Sequence, residues 1–496
     1  MPTAIDALKS RLFDVNALNA AMAMLDWDQQ TYMPKGGANA RAEHSSLLAR
    51  MAHEAFVSEE TQRALEEAAK EVEPGTDEAA IVRNTQRNMK LRTKFPADLV
   101  ARKSKLSAEG HEAWVTARAN NDFKTFAPIL DELFEITKEE ANLLGYENHI
   151  YDALIDMYEE GATHAQCQAI FDEIRGPIVQ LVKDIKESPN QPDDSFLYGE
   201  WPNDKQREFT EWLLKQIGFD MDRGRQDTAP HPFCTGWSVG DIRLTTRFKD
   251  YLPSALFGTL HEAGHGMYEQ GSPMAWDRTP LAGGVSLGVH ESQSRLWENI
   301  VGRSEAFITW MLPTLGSYFP ALSNTDPTSM YRATNKVEPS FIRVEADEVT
   351  YNLHIMVRFE VECAVLEGKL AVNDMPAYWN SKYEEYLGIT PRTDSEGCLQ
   401  DVHWSMGSIG YFPTYTMGNL LSYQFWNCLE KDLGDTDAMI ARGDFQPILE
   451  WLIQKIYRHG AKYPPQELVP MVTGKPMGAS DYLARLSQKY RAVYGL

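Results

Sequence analysis

Cysteine is scarce in this sequence: five residues in 496, at Cys167, Cys234, Cys363, Cys398 and Cys428. They are odd in number, widely scattered and never form a C-x-x-C pair. This is poor material for a disulfide framework or a structural zinc knuckle, and it suits a reducing, cytoplasmic setting. Positive charge is also short. Lys and Arg number 48 against 71 Asp and Glu, for a formal net charge of −23. Such a balance repels phosphate backbones and anionic lipid, so neither nucleic acid nor a membrane surface is expected as the main partner. No apolar run approaches the roughly 18 residues needed to cross a bilayer. The opening residues lack a continuous apolar stretch and a cleavage site, so no secretory signal is expected. Repeats and low-complexity tracts are missing as well, and 43% hydrophobic with 24% charged residues is ordinary globular composition. Length alone suggests about three units of 150 residues, and one large two-lobed enzyme fits equally well.

What is present is mostly helical periodicity. Ala7, Leu8, Leu12, Val15, Leu18 and Met22 recur at three- and four-residue steps, and the helix they define runs to the breaker cluster Met33-Pro34-Lys35-Gly36-Gly37. Further helices are expected at about 38–56, 78–94, 126–145 and 163–187, and another after Trp201-Pro202 that ends at Gly218. Segments 188–200 and 219–232 read as polar linkers. One stretch differs: from Asp241 to Phe248, apolar and polar residues alternate with period two, Thr246 taking an apolar slot. It reads as a strand, one arm of a hairpin from Pro232 onward, and as a candidate edge for an extended peptide.

Chemistry concentrates just after that strand. His261-Glu262-Ala263-Gly264-His265 is an H-E-x-x-H motif. On a helix, residues four apart share a face, so both imidazoles can address one ion while Glu262 reaches a water beside it. A zinc site of this type needs a third protein ligand. His290, Glu291 and Glu298 are the candidates, and spacing does not choose among them. A carboxylate at the head of a helix is favoured by the dipole. Two further stretches carry more polar residues than a plain core helix needs. In Ile342 to Glu348, Arg343 and Asp347 are placed i, i+4, with Tyr351 and His354 continuing the stripe, where a solvated face is the plain alternative. Gly397 to Trp404 brings Asp401 and His403 together, followed by Tyr411 and Tyr415. His403 and Tyr415 are candidate donors to an oxyanion.

Taken in order, these blocks resemble the carboxypeptidase Taq family of metallocarboxypeptidases: His231-Pro232-Phe233, Asp241 to Thr245, His261 to His265, His290 to Gln293, Ile342 to Asp347, and Gly397 to Trp404. Trp27-Asp28-Gln29 with Met33-Pro34 resembles the family's opening. The resemblance spans nearly the whole chain. It implies a mainly α fold, a large helical two-lobed groove similar to neurolysin and angiotensin-converting enzyme, with a small β element beside the metal helix. It implies a single metallocarboxypeptidase domain over 1–496, with an N-terminal helical roof at about 1–95 and a catalytic body at about 230–420. It also implies a homodimer, a Zn2+ ion for which Co2+ can substitute, and release of single residues from peptide C-termini with broad preference. Carried over by position, His261, His265 and Glu291 become the metal ligands and Glu262 the general base. Arg343 is the first choice and Arg243 the second for the substrate's terminal carboxylate. The rival readings are an endo- or dipeptidyl-carboxypeptidase on the same fold and a catalytically silent peptide-binding protein.

Overall fold

The computed structural model describes residues 3–496 and is mainly helical, with one small sheet. The first helix, Ala4–Thr31, starts from a capping box in which Thr3 and Asp6 satisfy each other's backbone amides, and ends before Pro34. Ala38–Val57, Asp77–Thr93, Phe123–Leu144 and His164–Glu187 form where the periodicity places them. Asn203–Ile217 follows Pro202 and stops at Gly218, whose left-handed conformation (φ 94) closes the last turn. Among the described residues no helix is long and apolar enough to cross a membrane, and all five cysteines are free thiols.

The chain parts into two compact units, each assembled from separated stretches of sequence. The first comprises Met1–Thr93, Asp193–Thr334 and Ser422–Pro476; the second comprises Lys94–Pro192, Asn335–Leu421 and Met477–Leu496. In the first unit, Leu8, Leu12 and Val15 pack with Phe56, Leu65, Ile81 and Val82 in one apolar cluster that Leu281 also enters. In the second, Leu99 and Leu106 pack on Leu133 and Ile136.

The sheet lies in the first unit. Strands β1 (Gly224–Thr228), β2 (Cys234–Ser238) and β3 (Asp241–Thr246) are ordered β1-β3-β2. β2 and β3 form the expected hairpin, antiparallel, with an irregularity between Gly236 and Ser238. β1 pairs with β3 in parallel, Gly224 opposite Ile242 through Thr228 opposite Thr246. The segment read as a linker at 219–232 therefore holds a strand. The pairing also corrects the expected role of β3: as the central strand it has both edges occupied, so only β1 and β2 can offer an edge to a peptide. Thr246 does fill an apolar slot, 1% exposed, with its hydroxyl 3.4 Å from that of Thr259 on the helix behind the sheet.

Candidate metal centre

The helix behind the sheet is Leu252–Gln270, with Pro253 in its first turn and Leu256, Leu260, Ala263 and Met267 buried. Two glycines let it pack tightly on both sides. A Cβ at Gly266 would lie 2.8 Å from Leu244 of β3, and one at Gly264 would lie 2.4 Å from the Gln293 carbonyl oxygen. The second contact is to the helix Leu287–Arg295, capped by the Ser286 side chain, which accepts from the Val289 amide. Continuing from it, Leu296–Gly302 is a π-helical turn that carries Glu298.

This packing brings three side chains to one point. His261 and His265 lie one turn apart with ring centroids 5.0 Å from each other. Glu291 Oε2 lies 3.6 Å from His261 Nε2 and 3.4 Å from His265 Nε2. Among the described residues these three form the one cluster with ligand atoms all within 4.8 Å of each other. Tetrahedral coordination with bonds of about 2.0–2.2 Å places neighbouring donor atoms roughly 3.3–3.6 Å apart, so the imidazole–carboxylate spacing fits such an ion. His290 and Glu298, the other two candidates, stand behind these three side chains. Glu298 Oε2 is 2.9 Å from His261 Nδ1, and His290 Nδ1 is 2.6 Å from His265 Nδ1. Glu291 is the fifth residue of its helix, so the helix dipole does not explain its place. Arg295, four residues on, does: its Nε donates to Glu291 Oε1 at 2.7 Å, and Ser294 Oγ donates to Oε2 at 3.0 Å.

Proton affinities diverge within this group. Burial opposes charge on His261, but Glu291 and Glu298 outweigh it and raise the imidazole to about 9. His265 falls to about 4 through burial, against the pull of Glu291. Burial would raise both Glu291 and Glu298. Arg295 and His261 hold Glu291 well below the usual range, and the hydrogen bond from His261 together with the charge of Arg295 draws Glu298 to about 2. Glu262, 6% exposed, is pushed by burial up to about 7 despite the neighbouring His261. A carboxyl poised there suits general acid–base work near neutrality.

The remaining sequence candidates fall into two places. Arg243, in the first unit, is paired with Asp241 through two hydrogen bonds of 2.9 and 3.0 Å, and lies 4.4 Å from the rings of both Trp27 and Trp237. Thr245 of the same motif is tied to Phe233, which explains why His231-Pro232-Phe233 and D-x-R-x-T occur together. A cavity of about 450 Å³ opens beside β2, lined by Trp27, Gln30, Phe233, Cys234 and Thr235.

Arg343, His403 and Tyr415 share one buried cluster in the second unit. Arg343 Nε and Nη2 donate to Asp401 Oδ1 at 3.0 and 2.9 Å, and Nη1 donates to the Tyr351 hydroxyl at 2.9 Å. Its guanidinium lies 4.9 Å from the Tyr415 ring. Arg358 binds the other oxygen of Asp401, so one carboxylate serves two buried cations. Burial lowers His403 to about 4 although Asp401 stands 3.9 Å away, so the ring is neutral at pH 7. Burial likewise raises Tyr415, which keeps its hydroxyl proton. The expected stripe from Arg343 to His354 does not form. Arg343–Glu345 is a short 3-10 turn, and Asp347 precedes the helix Tyr351–Leu366, its Oδ1 accepting from the Val349 and Thr350 amides. Two side chains of the metal centre escaped sequence reasoning, Arg295 and Glu269. Each lies four residues beyond a member of the cluster, Glu291 and His265 respectively, which is the signal that could have found them.

The chain is similar over nearly its whole length to known proteins. The family described as "Carboxypeptidase Taq (M32) metallopeptidase" matches residues 7–490. The chain is 40% identical over 486 residues to "Thermostable carboxypeptidase 1" of Thermus thermophilus, covering 95% of each, and 37% identical over 508 residues to "Carboxypeptidase 1" of Bacillus subtilis, covering 97% and 96%. In structure it is similar to the M32 carboxypeptidase of Deinococcus radiodurans R1, with a TM-score of 0.97, 38% identity, and coverage of 99% of this chain and 100% of that one. A Pyrococcus furiosus carboxypeptidase gives a TM-score of 0.95 at 37% identity, with 99% of each chain covered.

Proposed function

The chain belongs to the carboxypeptidase Taq (M32) metallopeptidases and is a metallocarboxypeptidase, and from that premise we propose that it is zinc-dependent and removes single amino acids from peptide C-termini with broad preference. Supporting the reading is one observation above all: a carboxylate oxygen of Glu291 lies 3.6 and 3.4 Å from an imidazole nitrogen of His261 and of His265, with the buried Glu262 on the same helix as both histidines. In it His261, His265 and Glu291 hold Zn2+, and Co2+ can substitute, since nitrogen and oxygen donors accept both. When bound, the ion polarises the scissile carbonyl and acidifies a water. Glu262 takes the proton of the attacking water and delivers it to the leaving amine, so the amide C–N bond breaks as a C–O bond forms.

The rest of the chain binds and orients. We assign extended substrate backbone to the edge strand β2 in place of the central β3. Phe233 already bonds inward to Thr245, so the alternate residues Cys234 and Gly236 present their main-chain groups outward. His403 and Tyr415 are assigned as oxyanion donors: the first is neutral and the second retains its proton, so each offers a hydrogen. The terminal carboxylate is assigned to Arg343, of whose five N–H groups three are engaged, with Arg243 as second choice. The whole chain acts as one catalytic domain, as a homodimer in the cytoplasm, the free cysteines suiting a reducing compartment.

The test is product analysis on the zinc-loaded protein, with one free-ended peptide and one carrying a blocked C-terminus. Release of single C-terminal residues from the free-ended peptide alone is expected. Internal cleavage or dipeptide release would favour the oligopeptidase alternatives, and no turnover by protein holding one zinc per chain would favour a silent peptide-binding protein. In parallel, Glu291→Ala should lose zinc to a mild chelator whereas Glu298→Ala should retain it; the reverse would overturn the ligand set.

A further inference from the structure

The two imidazoles of the metal centre are backed by different chemistry. Behind His261 stands the Glu298 carboxylate. Behind His265 stands a second imidazole: His265 Nδ1 and His290 Nδ1 are 2.6 Å apart, and His290 Nε2 is 2.7 Å from Glu269 Oε1. The same oxygen of Glu269 accepts from the Gly284 amide at 3.2 Å. Protons along this chain follow by elimination. A metal-facing His265 Nε2 must present a lone pair, so the ring proton sits on Nδ1. One proton fits between two nitrogens at 2.6 Å, so His290 Nδ1 accepts it. His290 then carries its own proton on Nε2 and donates it to Glu269. Both nitrogens of His290 are engaged, which removes it as a metal ligand.

We infer that His290 and Glu269 form a positioning dyad that holds His265 in its Nδ1–H tautomer and in the rotamer facing Glu291. The inference rests on the ligand set proposed above.

The intervening loop is built around these two side chains. A Cβ at Gly284 would lie 2.5 Å from His290 Cδ2 and 2.8 Å from the Tyr268 ring, and one at Gly283 (φ 92) would lie 2.8 Å from Glu269 Oε2. The loop thus closes on both residues with only hydrogen between. Tyr268 completes the enclosure, its ring 5.2 Å from His290 and its hydroxyl accepting from the Val285 amide at 3.2 Å. A metal-ligating histidine depends on such a partner for orientation and basicity, and loss of the partner weakens metal binding about 10–100-fold.

The experiment measures Zn2+ affinity of the full chain by competition with a chromophoric chelator, alongside thermal midpoints of the metal-free proteins. His290→Phe keeps the ring and removes both nitrogens; it should weaken zinc about 10–100-fold with little change in the metal-free midpoint. His290→Asn returns an oxygen that can accept from His265 Nδ1 and should recover most of that loss. Gly284→Ala removes no polar atom but displaces the ring, and should also weaken zinc. Combining His290→Phe with Glu269→Leu should cost no more than His290→Phe alone, because the two residues act through one hydrogen-bonded chain. Parent-like zinc affinity in His290→Phe, or additive losses in the double variant, would overturn the dyad. Should His290→Phe fail to fold, His290→Asn and Gly284→Ala decide: parent-like affinity in Gly284→Ala, or no advantage of Asn over a Glu269→Leu chain, would overturn it equally. Glu291→Ala with undiminished zinc affinity would refute the ligand set itself, independently of His290.

Discussion

Replacing a glycine in the middle of a helix by alanine ordinarily stabilises a protein by about 0.8–1 kcal/mol. Gly264 should do the opposite. Its Cβ would meet Gln293 O at 2.4 Å and Ser294 Cα at 2.6 Å, both backbone atoms of the helix that carries Glu291, so no side-chain rotation relieves the clash. Ordinary contact begins at 3.4 Å, so the two helices must separate by 3.4 − 2.4 = 1.0 Å. Overpacking costs about 1–3 kcal/mol, and contact with main chain puts this site at the upper end. Set against the propensity gain, the expected net loss is about 2 kcal/mol. The same displacement moves Glu291 away from His261 and His265 by twice the roughly 0.5 Å that a preorganised site tolerates, so zinc affinity should fall about tenfold or more. Gly258 is the internal control. It lies in the same helix, and nothing approaches within 4 Å of its would-be Cβ. Gly258→Ala should therefore gain about 0.8–1 kcal/mol and leave zinc binding unchanged. The assay is urea denaturation of the metal-free proteins followed by far-ultraviolet circular dichroism, comparing midpoints because two compact units need not unfold together. If Gly264→Ala is as stable as Gly258→Ala and binds zinc as the parent does, close contact across Gly264 does not set the helix spacing.

Other expectations follow from the same contacts. Glu262→Gln should retain one zinc per chain and lose about 10²–10⁴-fold in turnover, measured on a free-ended peptide; near-parental turnover would remove Glu262 from proton transfer. Arg343→Met should abolish the preference for free-acid over C-terminally amidated peptide, and an unchanged ratio of rates would transfer the anchor to Arg243. Asp401→Asn should destabilise by about 3–5 kcal/mol at pH 7, because it leaves the buried Arg343 and Arg358 without their shared counter-charge. Burial would raise Asp401, but Arg358 and Arg343 hold it below its ordinary 3.8, so its stabilisation is present above that pH and fades on acidification. Denaturation midpoints of parent and Asp401→Asn should accordingly start to converge only below about pH 4; a constant gap down to pH 2 would contradict the ion-pair origin.

Much of the helical frame was legible because its signals are local. Thr3 and Asp6 cap the first helix, Gly218 ends the helix after Pro202, and His261 and His265 share a face because the stretch between them is helical. β1 was not legible, for a definite reason. Gly224–Thr228 buries Gln226 and Asp227, which lack apolar character: Gln226 Nε2 donates to Thr210 and Thr259, and Asp227 is held by neighbouring Arg225 and distant Tyr32. Alternation of hydrophobicity cannot reveal a strand whose buried residues are polar and adjacent. Arg343 and Asp347 misled for the converse reason, since i, i+4 spacing has meaning only inside a helix and Asp347 stands before one. At the candidate metal centre, the different positions of His290, Glu291 and Glu298 rest on which nitrogen of each histidine faces which neighbour. That is a property of packing across Gly264 and of the π-helical turn carrying Glu298, and spacing in sequence does not contain it.

The discontinuous make-up of the first unit has a consequence for biosynthesis. Its opening stretch ends at Thr93, yet its closing stretch ends at Pro476, and the Lys462–Asp77 ion pair joins the two across 385 positions. At about 5–20 residues per second, a ribosome needs roughly 20–80 s to travel from one to the other. Throughout that interval the stretch of early helix at Asp77 and Asn84, which meets Lys462 and the Ala461 carbonyl, lacks its final covering. Nascent chains stalled before residue 422 should hence engage trigger-factor-like or Hsp70-like holdases far longer than chains released after residue 476, a difference that ribosome profiling of chaperone-bound complexes would register.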